Sequence, residues 1–132
     1  MADDKRFDLE IITPERVFYA DKVDMVEIST LEGDLGIYAG HIPLTSVLTP
    51  GVAKIHVGAD VKKAAIHSGF MEVLPDKVMI MAEIAEWPEE IDLNRAKEAM
   101  VRAERHLKES GADMSRAEYA LRRSIARIET LK

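Results

Sequence analysis

Apolar and polar residues alternate from Phe7 onward. Phe7, Leu9 and Ile11 are apolar and Asp8 and Glu10 are charged, a period of two that places one face of a strand in a core and the other in water. Pro14-Glu15-Arg16 interrupts the run as a turn, and Val17-Phe18-Tyr19 and Val23 to Ile28 continue as β-rich segments. Leu44 to Leu48, Val52 to Val57 and Val61 to His67 follow, separated by Pro50-Gly51 and by the turn Gly58-Ala59-Asp60. Ser68-Gly69 leads into Phe70 to Leu74, and Pro75-Asp76-Lys77 turns the chain into Val78 to Ala82. Short strands at about ten-residue spacing, with turn residues between them, predict an all-β sandwich or flattened barrel.

The period changes at Pro88, which disfavours the α conformation at Trp87 and suits the start of a helix. Residues 1–87 and 88–132 therefore read as two modules. Asp92 is placed to cap a first helix whose apolar stripe is Leu93, Ala96, Met100, Ala103 and Leu107, at spacings of 3 and 4. Gly111 is its stop signal, with Lys108 suited to the dipole at its end. Ser115-Arg116-Ala117-Glu118 has the pattern of a capping box for a second helix, with Asp113 as an alternative cap; Ala117, Leu121, Ile125, Ile128 and Leu131 form its stripe. Helices this short are marginal alone. The alanines on both stripes allow close approach, so the two are expected to pair as an antiparallel hairpin. The whole is an α+β chain.

Composition narrows the chemistry. With no cysteine among 132 residues, thiolate nucleophiles, disulfides and zinc ribbons are excluded. The N-terminal residues have no signal-peptide character and no apolar run approaches the roughly 20 residues of a spanning helix, so a soluble protein is expected. The net charge of −6 is uneven: residues 1–88 hold 15 Asp and Glu against 8 Lys and Arg, and residues 89–132 hold 9 against 10. Seven of the nine arginines fall in the second module, yet acidic residues interleave with them and aromatics are scarce, which argues against a nucleic-acid track.

Two sets of residues could carry chemistry. Between Glu32 and Pro43 lie three glycines, two carboxylates (Glu32 and Asp34) and His41, in a segment expected to form a loop of specified shape. A metal or acid–base site there would need a second histidine at ligand spacing, and none is present. His56 and His67 lie on expected strands and read as structural. No P-loop or G-x-S-x-G elbow occurs. The second set is arginine. Arg95 and Arg102 are seven apart on one helix, and Arg123 and Arg127 are four apart on the other, so each pair shares a face. A closed hairpin could set both pairs beside one groove, where guanidinium forks bind phosphate. The alternative is ion pairing along each helix, from Glu98 to Arg102 and from Glu118 to Arg122.

The full length of the chain, with Glu32 to Pro43, Pro50-Gly51 and Ser68-Gly69-Phe70-Met71-Glu72-Val73 as its specific parts, resembles the epsilon-subunit family of F-type ATP synthases. The resemblance implies a ten-stranded β-sandwich followed by a regulatory two-helix hairpin, in a non-catalytic rotor subunit that needs no cofactor. It implies partners: the gamma subunit and the c-subunit ring for the sandwich, with Glu32, Asp34 and His41 facing the ring, and the alpha and beta subunits for an extended hairpin that blocks ATP hydrolysis. It implies a place on the cytoplasmic face of the cell membrane, reached only through the complex. Ile91-Asp92-Leu93-Asn94-Arg95-Ala96 also matches the motif by which some bacterial members bind ATP on the folded hairpin, with Glu86 at the corresponding spacing and Arg102, Arg123 and Arg127 on the basic positions. On that likeness ATP is a possible regulatory ligand. A stand-alone nucleotide sensor of the same fold is the other reading that the residues leave open.

Overall fold

The structure is a computed structural model that describes residues 5–109 and 114–132. Eight strands come first: β1 (Phe7–Ile12), β2 (Val17–Val23), β3 (Met25–Thr30), β4 (Gly33–Tyr38), β5 (Leu44–Leu48), β6 (Gly51–Val57), β7 (Asp60–Val73) and β8 (Lys77–Glu86). One 3-10 turn (Pro88–Glu90) then leads to α1 (Leu93–Lys108) and α2 (Met114–Thr130). The strands run β2-β1-β8-β7-β5-β3-β4, with β6 bridging β3 and β7, so the sheet folds onto itself as a flattened barrel. All pairings are antiparallel except that of β1 with β8.

Alternation does place the core. Phe7, Leu9 and Ile11 are buried on β1, Val26 and Ile28 on β3, and Val78 and Ile80 on β8. Period two fails on β7, where Ala64, Ala65, Ile66 and His67 are buried in succession. The cause is topological. The first half of β7 pairs with β6 and the second half with β5, so the strand passes from one layer of the sandwich to the other. β8 bends with it: its buried positions shift from Ala82 to Ala85, out of phase. What reads as separate segments around Ser68-Gly69 is one bent strand, and the fold has eight long strands in place of ten short ones.

Ser68 and Gly69 make that bend, at φ +61° and +127°. A side chain at Gly69 would strike the backbone: its Cβ would lie 2.0 Å from the carbonyl oxygen of Met81 on β8. Only glycine fits where the two strands cross this closely.

α2 lies over β6 and β7, and α1 packs on α2. Ala96 and Ala103 are the buried residues of α1, as its stripe predicts. On α2 the stripe needs correction. Ile125 is 42% exposed and Ser124 is buried in its place, its hydroxyl donating to the Ala120 carbonyl at 3.0 Å. Ala117, Leu121, Ser124 and Ile128 then follow the 4-3-4 rhythm, while Ala126 and Thr130 are buried as well. The helix is covered on two sides, which a single apolar stripe cannot describe. α2 is already helical at Met114, so Ser115 stands inside it rather than at its cap. The Gly111 stop and the Asp113 cap lie outside the described residues.

Candidate functional site

Trp87 leaves β8 in an extended conformation, as proline at the next position requires. Its ring stacks on Phe18 with centroids 4.1 Å apart. Glu90 closes the turn by accepting from the Trp87 backbone at 2.8 Å, and both its oxygens take the Arg16 guanidinium at 2.8 Å. The guanidinium raises itself and depresses the Glu90 carboxyl by this contact. The linker is thus pinned to β2 up to Glu90. Ile91 and Asp92 continue in extended geometry, and the Asp92 carboxylate caps α1 by accepting from the Arg95 backbone at 3.2 Å.

A pocket of about 330 Å³ opens where this linker meets the helices. Its acidic side is Glu86, Glu90 and Asp92, its small apolar floor is Ile91, Ala96 and Ala99, and its basic side is Arg95, Arg102 and Arg127. Seven of the eight positions singled out in the hairpin motif meet here. The eighth, Arg123, does not: its guanidinium lies over the Tyr119 ring, 5.3 Å from the centroid. Glu90 and Ala99 were not foreseen. Ala99 could have been, since it stands four residues after Arg95 and so shares its face.

The three carboxylates are already engaged. Glu90 holds Arg16 and Asp92 caps α1. One oxygen of Glu86, Oε1, accepts from Arg127 Nε at 2.8 Å and from His67 Nε2 at 2.9 Å. Burial pushes the Glu86 carboxyl up, but the hydrogen bonds from His67 and Arg127 and the Arg127 charge outweigh it and hold the group below the usual range. Arg95 and Arg102 have no acidic partner among the described residues: Glu118 pairs with Arg122 at 3.0 Å, whereas Glu98 makes no such pair with Arg102. Two unneutralised guanidiniums on one side of a pocket suit a multiply charged anion.

The glycine-rich segment is laid out differently from one loop. Glu32 belongs to the tight β3–β4 turn, where Gly33 takes φ +118° and the Thr30 hydroxyl donates to the Gly33 carbonyl at 2.7 Å. Gly33 to Tyr38 is a strand, and Asp34 on it accepts from the Ser29 hydroxyl at 2.8 Å across the pair. His41 follows at the far end of β4, its Nδ1 donating to the Ile42 carbonyl at 2.8 Å. Glu32 and Asp34 are therefore separated from His41 by most of a strand. Among the described residues no group of three His, Asp or Glu side chains could hold a metal ion.

Two sequence profiles match the chain end to end: the beta-sandwich domain of the ATP synthase delta/epsilon chain over residues 6–88, and its long alpha-helix domain over residues 89–132. The chain belongs to the ATP synthase delta/epsilon family. Among its epsilon-chain relatives, that of Halalkalibacterium halodurans is 44% identical, over 92% of this chain and 93% of its own. The epsilon chain of Clostridium novyi is 42% identical, over 95% and 97%. In a solved assembly of Euglena gracilis mitochondrial ATP synthase, described as OSCP/F1/c-ring, one chain superposes with a TM-score of 0.82 at 25% identity, covering 92% of this chain and 78% of that one. No helix of this epsilon-family chain is long and apolar enough to cross a membrane, among the described residues.

Proposed function

We propose that this chain is a non-catalytic rotor subunit of an F-type ATP synthase, and that its hairpin restrains ATP hydrolysis under the control of bound ATP. One observation carries the regulatory part. The pocket draws Glu86 from the sandwich, Arg95 and Arg102 from α1 and Arg127 from α2. It is complete only while the hairpin lies on the sandwich. A ligand that binds there stabilises the folded-down hairpin by RT ln(1 + [L]/Kd), about 2.7 kcal/mol at a hundredfold excess over Kd. Plentiful ATP keeps the hairpin down; scarce ATP lets it extend towards the alpha and beta subunits and stop hydrolysis.

The sandwich supplies the docking surfaces. Strand register aligns Val47, Phe70, Met81, Ile12 and Val17 in one row across β5, β7, β8, β1 and β2. Val17 is 61%, Val47 54% and Phe70 47% exposed. A row of this kind marks a protein interface, which we assign to the gamma subunit. The β3–β4 turn, with Glu32, Asp34 and Leu31 exposed, and the His41 corner with Ile42 exposed, are the surfaces assigned to the c ring. Membrane association follows from that ring, on the cytoplasmic face. No cofactor is required for this role.

Calorimetry of the full chain with ATP and MgATP tests the nucleotide reading, and absence of binding at millimolar ATP would remove it. Deleting residues 91–132 tests the hairpin. The sandwich should still bind gamma, and ATP hydrolysis by the assembled head should rise; unchanged hydrolysis at low and high ATP would refute the inhibitory role.

A further inference from the structure

His67 is the buried histidine of this chain, with its side chain 1% exposed. It sits on β7 inside the continuous run of buried residues and opposite Ile84 of β8. Its Nε2 meets Glu86 Oε1, and its Nδ1 is buried with no partner among the described residues. The carboxylate can only accept, so the imidazole carries its proton on Nε2 and Nδ1 is a bare lone pair. A buried polar side chain with one committed contact is there for that contact.

The contact is shared in an informative way. His67 and Arg127 both donate to Oε1, and no protein group among the described residues donates to Oε2. The two donors also belong to different moving parts. Arg127 rides on α2 and leaves with it, while His67 belongs to the sandwich. A glutamate side chain held by Arg127 alone would disperse over its rotamers as soon as the hairpin lifted. With His67 behind it, the half-buried carboxylate keeps a hydrogen-bonded partner in either position of the hairpin, so undocking does not strand a buried charge.

Resting on the nucleotide reading of the pocket, we propose that His67 is its positioning residue: it clamps Oε1 of Glu86 so that Oε2 is presented to a hydrogen-bond donor, an amine or hydroxyl, on the bound nucleotide. His67 touches no ligand and acts through Glu86.

Calorimetric titration of the full chain with ATP, in the wild type, His67→Leu, His67→Gln, Glu86→Ala and the double variant His67→Leu/Glu86→Ala, tests this. Glutamine carries an N–H donor that can stand in for Nε2, and leucine carries none. The His67→Leu variant should bind ATP about 5- to 30-fold more weakly, the loss expected for one hydrogen bond to a charged group. The His67→Gln variant should recover most of that affinity, and His67→Leu should add little once Glu86 is alanine. Equal weakening in His67→Leu and His67→Gln, or additive losses with Glu86→Ala, would overturn the proposal. Carbon-13 NMR titration of the Glu86 carboxyl gives a readout that does not depend on ATP. Its midpoint should rise in His67→Leu and return in His67→Gln; an unmoved midpoint in His67→Leu would refute the clamp. A wild type that binds no ATP would defeat the nucleotide reading alone, leaving that midpoint to decide the role of His67.

Discussion

The Tyr119 phenol on α2 hydrogen-bonds the Ser68 hydroxyl on β7, tying the hairpin to the bend of the sandwich. Ser68 takes a left-handed φ of 61°, unusual for a residue with a side chain, and the contact gives that geometry a purpose. Burial raises the phenol, so it stays protonated and able to donate. Replacing Tyr119 with phenylalanine removes the hydroxyl and keeps the ring on which Arg123 rests. We expect docking of α2 to weaken by about 0.5–1.5 kcal/mol, seen as faster amide exchange in α2 with unchanged exchange in β1 and β8. Uniform loss of protection through both modules would show that the contact serves the sandwich instead.

The four arginines of the hairpin should separate by their partners. Arg95 and Arg102 have none among the described residues, so Arg95→Ala and Arg102→Ala should each weaken ATP binding by roughly 1.5–3 kcal/mol and leave thermal stability nearly unchanged. Arg127→Ala should lower both, because Arg127 also holds Glu86. Arg123→Ala should cost ATP affinity least, since its guanidinium rests on Tyr119 away from the pocket. Calorimetry and thermal melts on the same four variants decide the order.

Acid should release the hairpin. The Glu86 carboxyl is held below its ordinary range in the folded chain. The stability it lends is complete above the ordinary glutamate value of about 4.3. It is lost as pH falls through the lower folded-state value. Protease sensitivity of the helices should rise over that window in the wild type. In Glu86→Gln, which cannot ionise, the hairpin should be more sensitive at neutral pH and should vary less with acid.

Gly69→Ala should be the most damaging glycine substitution in the sandwich. Its Cβ would collide with the backbone of Met81 and Ala82. Gly36, on β4 with ordinary backbone geometry, has only Met25 Sδ within reach, at 3.8 Å. Gly36→Ala should fold normally, whereas Gly69→Ala should lose several kcal/mol or fail to fold. Chemical denaturation of the two variants makes the comparison.

The parts of this protein that were legible in the sequence are those governed by neighbours in the chain. Alternation gave the buried face of β1, Pro88 gave the break after β8, and the Asp92 cap and the Arg95–Arg102 face followed from helical spacing. The bend of β7 was not legible, because it depends on β5 and β6 pairing with two halves of one strand. Ser124 replaced Ile125 on the buried side because α2 is covered by α1 and by the sandwich together. Arg123 left the predicted group because Tyr119, one turn earlier, offers it a ring. The Glu32-to-Pro43 segment read as one loop because its glycines conceal a strand paired to β3. His67 looked like ordinary core, and only the position of Glu86 across the sheet reveals what it holds.

The parallel pairing of β1 with β8 has a consequence for the order in which the chain is made. Residues 8–12 find their partners only at residues 77–81, so the first strand to leave the ribosome waits for nearly the whole sandwich before its inner edge is covered. Closing that ladder is a long-range and slow event. The helices emerge afterwards, onto a surface already finished, and contribute no strand to it. What is synthesised last is also what can detach without unpicking a single ladder, so biosynthesis and regulation divide the molecule at the same place.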